Sequence, residues 1–400
     1  MTTWASESPY IELLSTIRMF SRLLVAHSST ASKTAHPSFF SGDALAAPTH
    51  WFYGGERQVK AEYGHLLDGY TKPNHELPGS ILNKSNLNGG GRSAYAKSKS
   101  KQQQTIIGDV INHGKKDLWS PTKQIHYHAT LQAGEPTLEA QIARVLMKSI
   151  VANDGTFNAD HFRQAYIKFM TTPGSHNDTY ASTCHRMFFE NLVHNKLPPE
   201  ECPDNDQHNV DAIDGLILPT IAALASAAKP SSTVDEIAKL SAECASVTRR
   251  SRLLEQTNAV WSQVVVDSLR EASDETVLDT LKNVSKTLIG RSPKPYRGQI
   301  SACYLQQSLP TLIDLVQTYI PAQDPWQGLL KNANVGGENV HRGSVLGAIL
   351  GARAGNDALP EKLKKGLVPY DELAQEIDDF VNAVMKDSGS EYGTCASETQ

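Results

Sequence analysis

The 400-residue chain is poor in cysteine, and its five cysteines are placed badly for cross-linking. Cys184, Cys202, Cys244, Cys303 and Cys395 are scattered, odd in number and never in CxxC spacing. That excludes a disulfide framework and a structural zinc knuckle, and points to a reducing compartment such as the cytoplasm. No apolar run approaches the length of a membrane span, so no membrane partner is expected. No excess of positive charge exists either. The formal net charge is -5, which excludes a general nucleic-acid binder needing a dominant basic surface. Sustained strand alternation and fixed-period repeats are also missing. A secretory leader would need an uninterrupted apolar stretch before a small-residue cleavage site, and none is seen. The segment Ile17 to Ser32 has Arg18 and Arg22, several serines and no acid, so a mitochondrial transit sequence is the alternative to a plain helix at the domain edge.

What is present is helical patterning. Hydrophobic residues make up 40% and charged residues 20%, an ordinary balance for a chain able to bury a large core. Leu138, Ile142, Val145, Leu146 and Ile150 recur at helical spacing. So do Phe162, Tyr166, Phe169 and Met170, and later Val260, Val264, Val265 and Leu269. Val277, Leu281, Val284 and Leu288 form another stripe, as do Leu309, Leu312, Leu315 and Val316. Thr233 with Glu236 spells a capping box ahead of Ile237, Leu240 and Cys244. Leu373, Ile377, Phe380, Val381 and Val384 form a last helix, opened by Pro369. The expectation is an all-α fold in one large domain over 38–386, with a helical N-terminal extension over 1–37 and a flexible tail over 387–400. Residues from about 79 to 124 read as an irregular insertion, either a lid or a simple surface loop. Ser85 to Gln104 is rich in Ser, Asn, Gly, Lys and Gln, too polar to fold alone.

Four stretches have the residues for chemistry. Asp43, His50, Trp51 and Tyr53 follow Ser41-Gly42 near the start. Asp43 suits a cap, His50 offers an imidazole, and Trp51 and Tyr53 offer ring faces to a ligand. Asn334-Val335-Gly336-Gly337-Glu338-Asn339-Val340-His341-Arg342-Gly343 runs into a Gly- and Ala-rich helix. Gly336 and Gly337 permit positive φ or close backbone approach, and Glu338, His341 and Arg342 sit where exposed amides favour anionic ligands. His126 and His128, at i and i+2, point the same way in an extended segment and suit ligand contact. Ser175 and His176, after Pro173-Gly174, suit a substrate-contacting loop. A Ser175–His176–Asp178 triad is a poor reading, because groups so close in sequence rarely reach triad geometry.

The first two stretches together resemble the ADP-ribosylglycohydrolase superfamily. Its members have a Gly-Asp-Ala-Leu-Gly-x-Pro segment, matched by Gly42-Asp43-Ala44-Leu45-Ala46-Ala47-Pro48. They also have Asn-x-Gly-Gly-Asp-x-Asp-Thr before a small-residue helix ending Gly-Ala-x-x-Gly, matched by Asn334 to Gly355. Asp214 to Pro219 looks like the family's Ala-Met-Arg-x-x-Pro region, and Glu243 to Arg249 like its Ser-x-x-Thr-His segment. The resemblance spans about residues 38 to 360. It implies an orthogonal helical domain, a site for magnesium ions that orients a ribose and a water, and a small-molecule or ADP-ribosylated substrate.

The departures fall on the acidic positions. The family's acid after Gly-Asp-Ala falls at His50. Its Thr-Asp-Asp-Thr falls on Gly134-Glu135-Pro136-Thr137, and its Asp-x-Asp-Thr on Glu338-Asn339-Val340-His341. Glu135, Glu338, His50 and His341 are therefore the expected catalytic set, with Glu135 or Glu338 as general base. Glu135, Glu338 and His341 are the expected metal ligands. A His/carboxylate site for a transition metal, a metal-free acid/base cluster and a non-catalytic, crystallin-like or ADP-ribose-binding chain all remain open on these residues. So does an unrelated small-molecule substrate, since fold does not fix function.

Overall fold

The computed structural model describes residues 35–92, 104–206, 209–289, 302–354 and 359–390. The Ile17–Ser32 segment lies outside them. Among the described residues the secondary structure is helical, with isolated β-bridges and no named strand. Helix α1 covers residues 35–46. It is followed by α2 (Gly55–Tyr63), α3 (Leu138–Ala152), α4 (Ala159–Thr171) and α5 (Thr183–Val193). Then come α6 (Ile217–Ala227), α7 (Val234–Ser246), α8 (Arg252–Leu269) and α9 (Asp274–Ile289). The chain closes with α10 (Leu305–Tyr319), α11 (Pro325–Val335), α12 (Val340–Ala354), α13 (Glu361–Gly366) and α14 (Tyr370–Ser390). The predicted helical stripes all fall inside these elements. Helix α14 ends at Ser390, and the rest of the 387–400 segment lies outside the described residues.

Local chemistry explains several boundaries. At α7 the Thr233 hydroxyl accepts from the Glu236 amide and the Glu236 carboxylate accepts from the Thr233 amide, the reciprocal box read from the sequence. At α8 the Ser251 hydroxyl accepts from the Leu254 amide at 3.1 Å. Apolar faces then drive the packing. Helix α6 is buried nearly all round and packs on α3, α7, α8 and α12. Trp261 of α8 is fully buried, and its indole N–H donates to the Thr220 hydroxyl of α6 at 2.8 Å.

The crossing of α1 and α12 positions the site. A Cβ at Gly42 would meet the Gly343 carbonyl oxygen at 2.0 Å, and one at Gly347 would meet the Ser38 carbonyl oxygen at 2.1 Å. Only glycine lets the two backbones approach this closely. Gly343 and Gly347 form this face of α12.

The described parts of the 79–124 insertion are not a detached loop. Leu82, Ile106, Ile107, Ile111 and Trp119 are buried in the main core. Arg186 of α5, itself buried, donates to the carbonyls of Asn86, Gly89 and Gly91. Trp119 donates to the Thr179 carbonyl at 3.1 Å. The polar sequence concealed this, because its anchors are a guanidinium from another helix and a short apolar run after the polar stretch.

Candidate active site

The site grows from the turn after α1 and the glycine loop before α12. Gly336 and Gly337 have φ of 71° and 66°, the left-handed region that favours glycine. The Trp51 amide donates to the Gly337 carbonyl at 2.7 Å, and the Gly337 amide donates to the Phe52 carbonyl at 3.0 Å. Asn339 donates to the Thr49 hydroxyl at 2.8 Å. Arg342, fully buried, donates to Asn332 Oδ1 at 2.7 Å and to the Gly336 carbonyl at 3.0 Å. Gly336, Gly337 and Arg342 thus dock two segments together. They do not line the cavity where substrate contact was expected, because the loop's own carbonyls and Asn332 engage the guanidinium.

This docking brings His50 to Glu338. His50 Nε2 lies 3.1 Å from both Glu338 carboxylate oxygens, and His341 Nδ1 lies 2.6 Å from Glu338 Oε1. All three side chains are buried. On its other edge His50 Nδ1 meets His128 Nε2 at 2.7 Å, and His128 Nδ1 meets Asp178 Oδ1 at 2.8 Å. Asp178 Oδ2 accepts from the Leu138 amide at 2.9 Å, which ties the row to the start of α3. The order is Asp178, His128, His50, Glu338, His341. Carboxylates accept, so His128 Nδ1 and His50 Nε2 carry hydrogen. Two bare nitrogens cannot face each other at 2.7 Å, so one further proton lies between His50 and His128 when no cation is bound.

Burial opposes charge throughout this row, and its partners decide the outcome. Burial disfavours ionised Glu338, but the charges of His50 and His341 and their hydrogen bonds hold it well below the ordinary carboxylate range. Burial also works against charged His341, yet Glu338 pushes its pKa up to about 10. For His50 burial wins over Glu338 and lowers its pKa to about 4.

Glu338 and His341 form one end of a cavity of about 240 Å³. Rings of Trp51, Tyr53, Tyr127, Tyr180 and Tyr304 line it, and Arg92 and Asp214 also reach it. Trp51 packs on Tyr127 and Tyr180, with ring centroids 4.2 and 5.1 Å apart. Tyr53 is 55% exposed and stands at the mouth. Asp214 pairs with buried Arg249 at 2.9 Å, joining the Asp214–Pro219 and Glu243–Arg249 segments.

Other expected residues lie elsewhere. Asp43 is buried, and its carboxylate accepts from the Thr137 amide at 2.6 Å and hydroxyl at 2.9 Å. It anchors the start of α3, and burial, opposed by the Thr137 bonds, raises its pKa to about 6. His126 is buried with Nε2 at 3.0 Å from the Pro48 carbonyl and Nδ1 accepting from the His128 amide at 3.0 Å. Both its nitrogens are used within the protein, where they brace the turn. Glu135, Ser175 and His176 line a separate polar cavity of about 450 Å³ with Lys115 and Asn177. Glu135 turns away because Gly134 sits at φ 79°, and its carboxylate accepts from the Gln132 amide at 2.8 Å. It therefore lies apart from Glu338, and of the four expected residues the structure brings together His50, Glu338 and His341.

The carboxylate that α3 does turn toward this region is Glu139, one helical turn later. It is buried and binds His185 Nε2 at 2.8 Å, while His185 Nδ1 meets the Tyr166 hydroxyl at 2.7 Å. Sequence reading missed Glu139, His185, Tyr127, Tyr180 and Tyr304 as site neighbours. Glu139 lies two residues past the Thr137 cap, and that spacing was its one available signal. Tyr304 has none, since tertiary packing alone brings it to the cavity.

A set of two imidazoles and one carboxylate suits a hard, oxygen-seeking cation poorly. Magnesium asks for near-octahedral oxygen donors. Asp43 is committed to Thr137, and Asp214 to Arg249. The residues present do not fit the magnesium that the resemblance implies. Groups that could hold another metal are present, at His50–Glu338–His341 and at Glu139–Cys184–His185.

Comparison with known proteins supplies the class. A solved structure described as an "ADP-ribosylglycohydrolase-related protein complex" superposes with a TM-score of 0.54 at 14% identity, covering 90% of this chain and 99% of that one. At that identity the likeness shows the fold, an all-α ADP-ribosylglycohydrolase fold. The family model for ADP-ribosylglycohydrolase matches residues 39–390. The chain belongs to the ADP-ribosylglycohydrolase family. A comparison with curated proteins finds no significant match. No described helix is long and apolar enough to cross a membrane.

Proposed function

We propose that this protein is a hydrolase that cleaves a glycosidic bond to ADP-ribose or a related ribosyl compound. The observation behind the reading is the cavity with an aromatic wall and a buried Glu338–His341 pair at one end. Flat rings stack on aromatic faces, and hydroxyl-rich sugars need paired polar groups beside them. Trp51, Tyr127 and Tyr180 suit the base or sugar face, Arg92 suits a phosphate, and Glu338 with His341 meets the bond to be broken. The free thiols of Cys184, Cys202, Cys244 and Cys303 suit a reducing compartment, the cytoplasm in this proposal.

The test is calorimetric titration of ADP-ribose into the full chain, joined to release of ADP-ribose from ADP-ribosylated peptides. Binding that Trp51→Ala weakens, with turnover that Glu338→Gln abolishes, supports the proposal. Binding without turnover makes the chain a reader of ADP-ribose. No binding of ADP-ribose under any metal condition sinks the substrate assignment and leaves the fold with another ligand.

A further inference from the structure

His50, Glu338 and His341 each offer one ligand atom within 4.8 Å of the other two, and all three side chains are buried; His50 Nε2 and His341 Nδ1 lie 3.1 and 2.6 Å from Glu338 Oε1. They come from two pieces of backbone: His50 from the turn after α1, and Glu338 with His341, three residues apart, where the glycine loop enters α12. Two imidazoles and a carboxylate are donors that a borderline transition-metal ion takes readily and magnesium does not.

The surroundings complete the pattern. A metal-bound histidine usually donates its second ring N–H to an oriented acceptor, often backed by a carboxylate. His50 has this arrangement through His128 at 2.7 Å and Asp178 at 2.8 Å. With a cation on His50 Nε2, the Nδ1–H donates to His128 and the His128 Nδ1–H donates to Asp178. Every hydrogen in the row is then accounted for without an extra proton. Glu338 and His341 also reach the cavity, so coordination positions not filled by protein face the space where a ligand enters.

We infer that His50, Glu338 and His341 bind a divalent transition-metal ion of the zinc or iron class, with His128 and Asp178 orienting His50. Such an ion supplies Lewis acidity beside the cavity. The second cluster, Glu139–Cys184–His185, is less suited. Both His185 nitrogens are already bonded, to Glu139 and to Tyr166, and these residues do not line the aromatic cavity. The assignment rests on the donor set and not on the substrate, so loss of the ADP-ribose reading leaves it intact.

The test needs no activity. The full chain is purified without chelator and its metal content measured. After chelation, cobalt(II) is added and the visible d–d band followed. The band is expected at one cobalt per chain, with zinc displacing it and excess magnesium leaving it unchanged. Glu338→Gln and His341→Gln should each abolish the band. His128→Gln should keep the ligand set and weaken cobalt affinity about 10–100-fold. His65→Gln, at an exposed histidine, controls for adventitious binding and should leave the band intact. Circular dichroism of each apo-variant checks folding. If Glu338→Gln fails to fold, the milder His128→Gln series and the parent titration decide. A folded parent with no cobalt band overturns the assignment, and so does a band that survives His341→Gln or that magnesium displaces. The cluster is then a proton-filled acid/base network.

Discussion

Replacing Gly347 by alanine tests whether the α1–α12 crossing sets the site. Gly347 lies in the middle of α12, where helix propensity alone says alanine should stabilise by about 0.5–1 kcal/mol. The structure demands the opposite sign. A Cβ at this position would stand 2.1 Å from the Ser38 carbonyl oxygen, whereas real Cβ atoms essentially never come closer than 3.0 Å. The helices must part by at least about 0.9 Å, and the atom struck is backbone, which cannot swing aside. Overpacking costs about 1–3 kcal/mol, and a clash with backbone puts this one near the top, so the net loss after the propensity gain should be about 2 kcal/mol. The same displacement moves the start of α12 away from the turn after α1. The 3.1 Å contacts between His50 and Glu338 should therefore loosen with it. The assay is paired: urea unfolding for stability, and ligand or cobalt titration for the site. A Gly347→Ala chain as stable as the parent, or more so, would refute the close-crossing argument. A less stable chain with an undisturbed site would show that the crossing supports the fold without setting the site.

Three further outcomes follow from named contacts. Trp51→Ala should weaken a ring-bearing ligand by roughly 3–10-fold, the value of one aromatic pair, with the circular dichroism spectrum unchanged; unaltered affinity would remove Trp51 from the binding wall. Arg186→Met should leave the carbonyls of Asn86, Gly89 and Gly91 without their buried donor, cost about 2–4 kcal/mol, and speed limited proteolysis within residues 79–92; protection equal to the parent's would mean the segment is held by other contacts. Glu376 of α14 accepts from Arg144 of α3 at 2.7 Å and pairs with Lys148 at 2.8 Å. Burial works against its charge, but these cations hold its pKa below the ordinary 4.5. Its folded-state pKa is thus depressed, so its stabilisation is present above that value and lost as pH falls through the folded one. Glu376→Gln should lower stability by about 1–3 kcal/mol at pH 7 and flatten the loss as pH falls below the ordinary 4.5, as read by Tm against pH.

The parts of this fold legible from sequence are those written in neighbouring residues. The Thr233–Glu236 box and the apolar stripes each depend on residues within one or two turns. The two glycine-bearing motifs were legible for the same reason, and with them the family. Glu135 shows where such reading fails. It precedes a helix start, as a site carboxylate would, yet the single φ of Gly134 turns it into another cavity. Asp43 fails differently. It looks like a ligand, but its two oxygens are spent on Thr137, 94 residues away.

The row from Asp178 to His341 is the hardest feature to read, and its construction shows why. His50 to His128 spans 78 positions, His128 to Asp178 spans 50, and His50 to Glu338 spans 288. No local pattern encodes such contacts. What encodes them is the backbone closeness that Gly42, Gly343, Gly336 and Gly337 permit. The histidines at positions 50 and 341 look like simple losses when each is compared with a family motif by itself. Placed side by side on one carboxylate, and backed by His128 and Asp178, they are mutually dependent. A nitrogen at either position alone would face an oxygen cage. Both together, with a buried acceptor behind one of them, make a coherent donor set of a different kind. If the metal assignment holds, removing either histidine should therefore undo the donor set, as the loss of the cobalt band in His341→Gln would show.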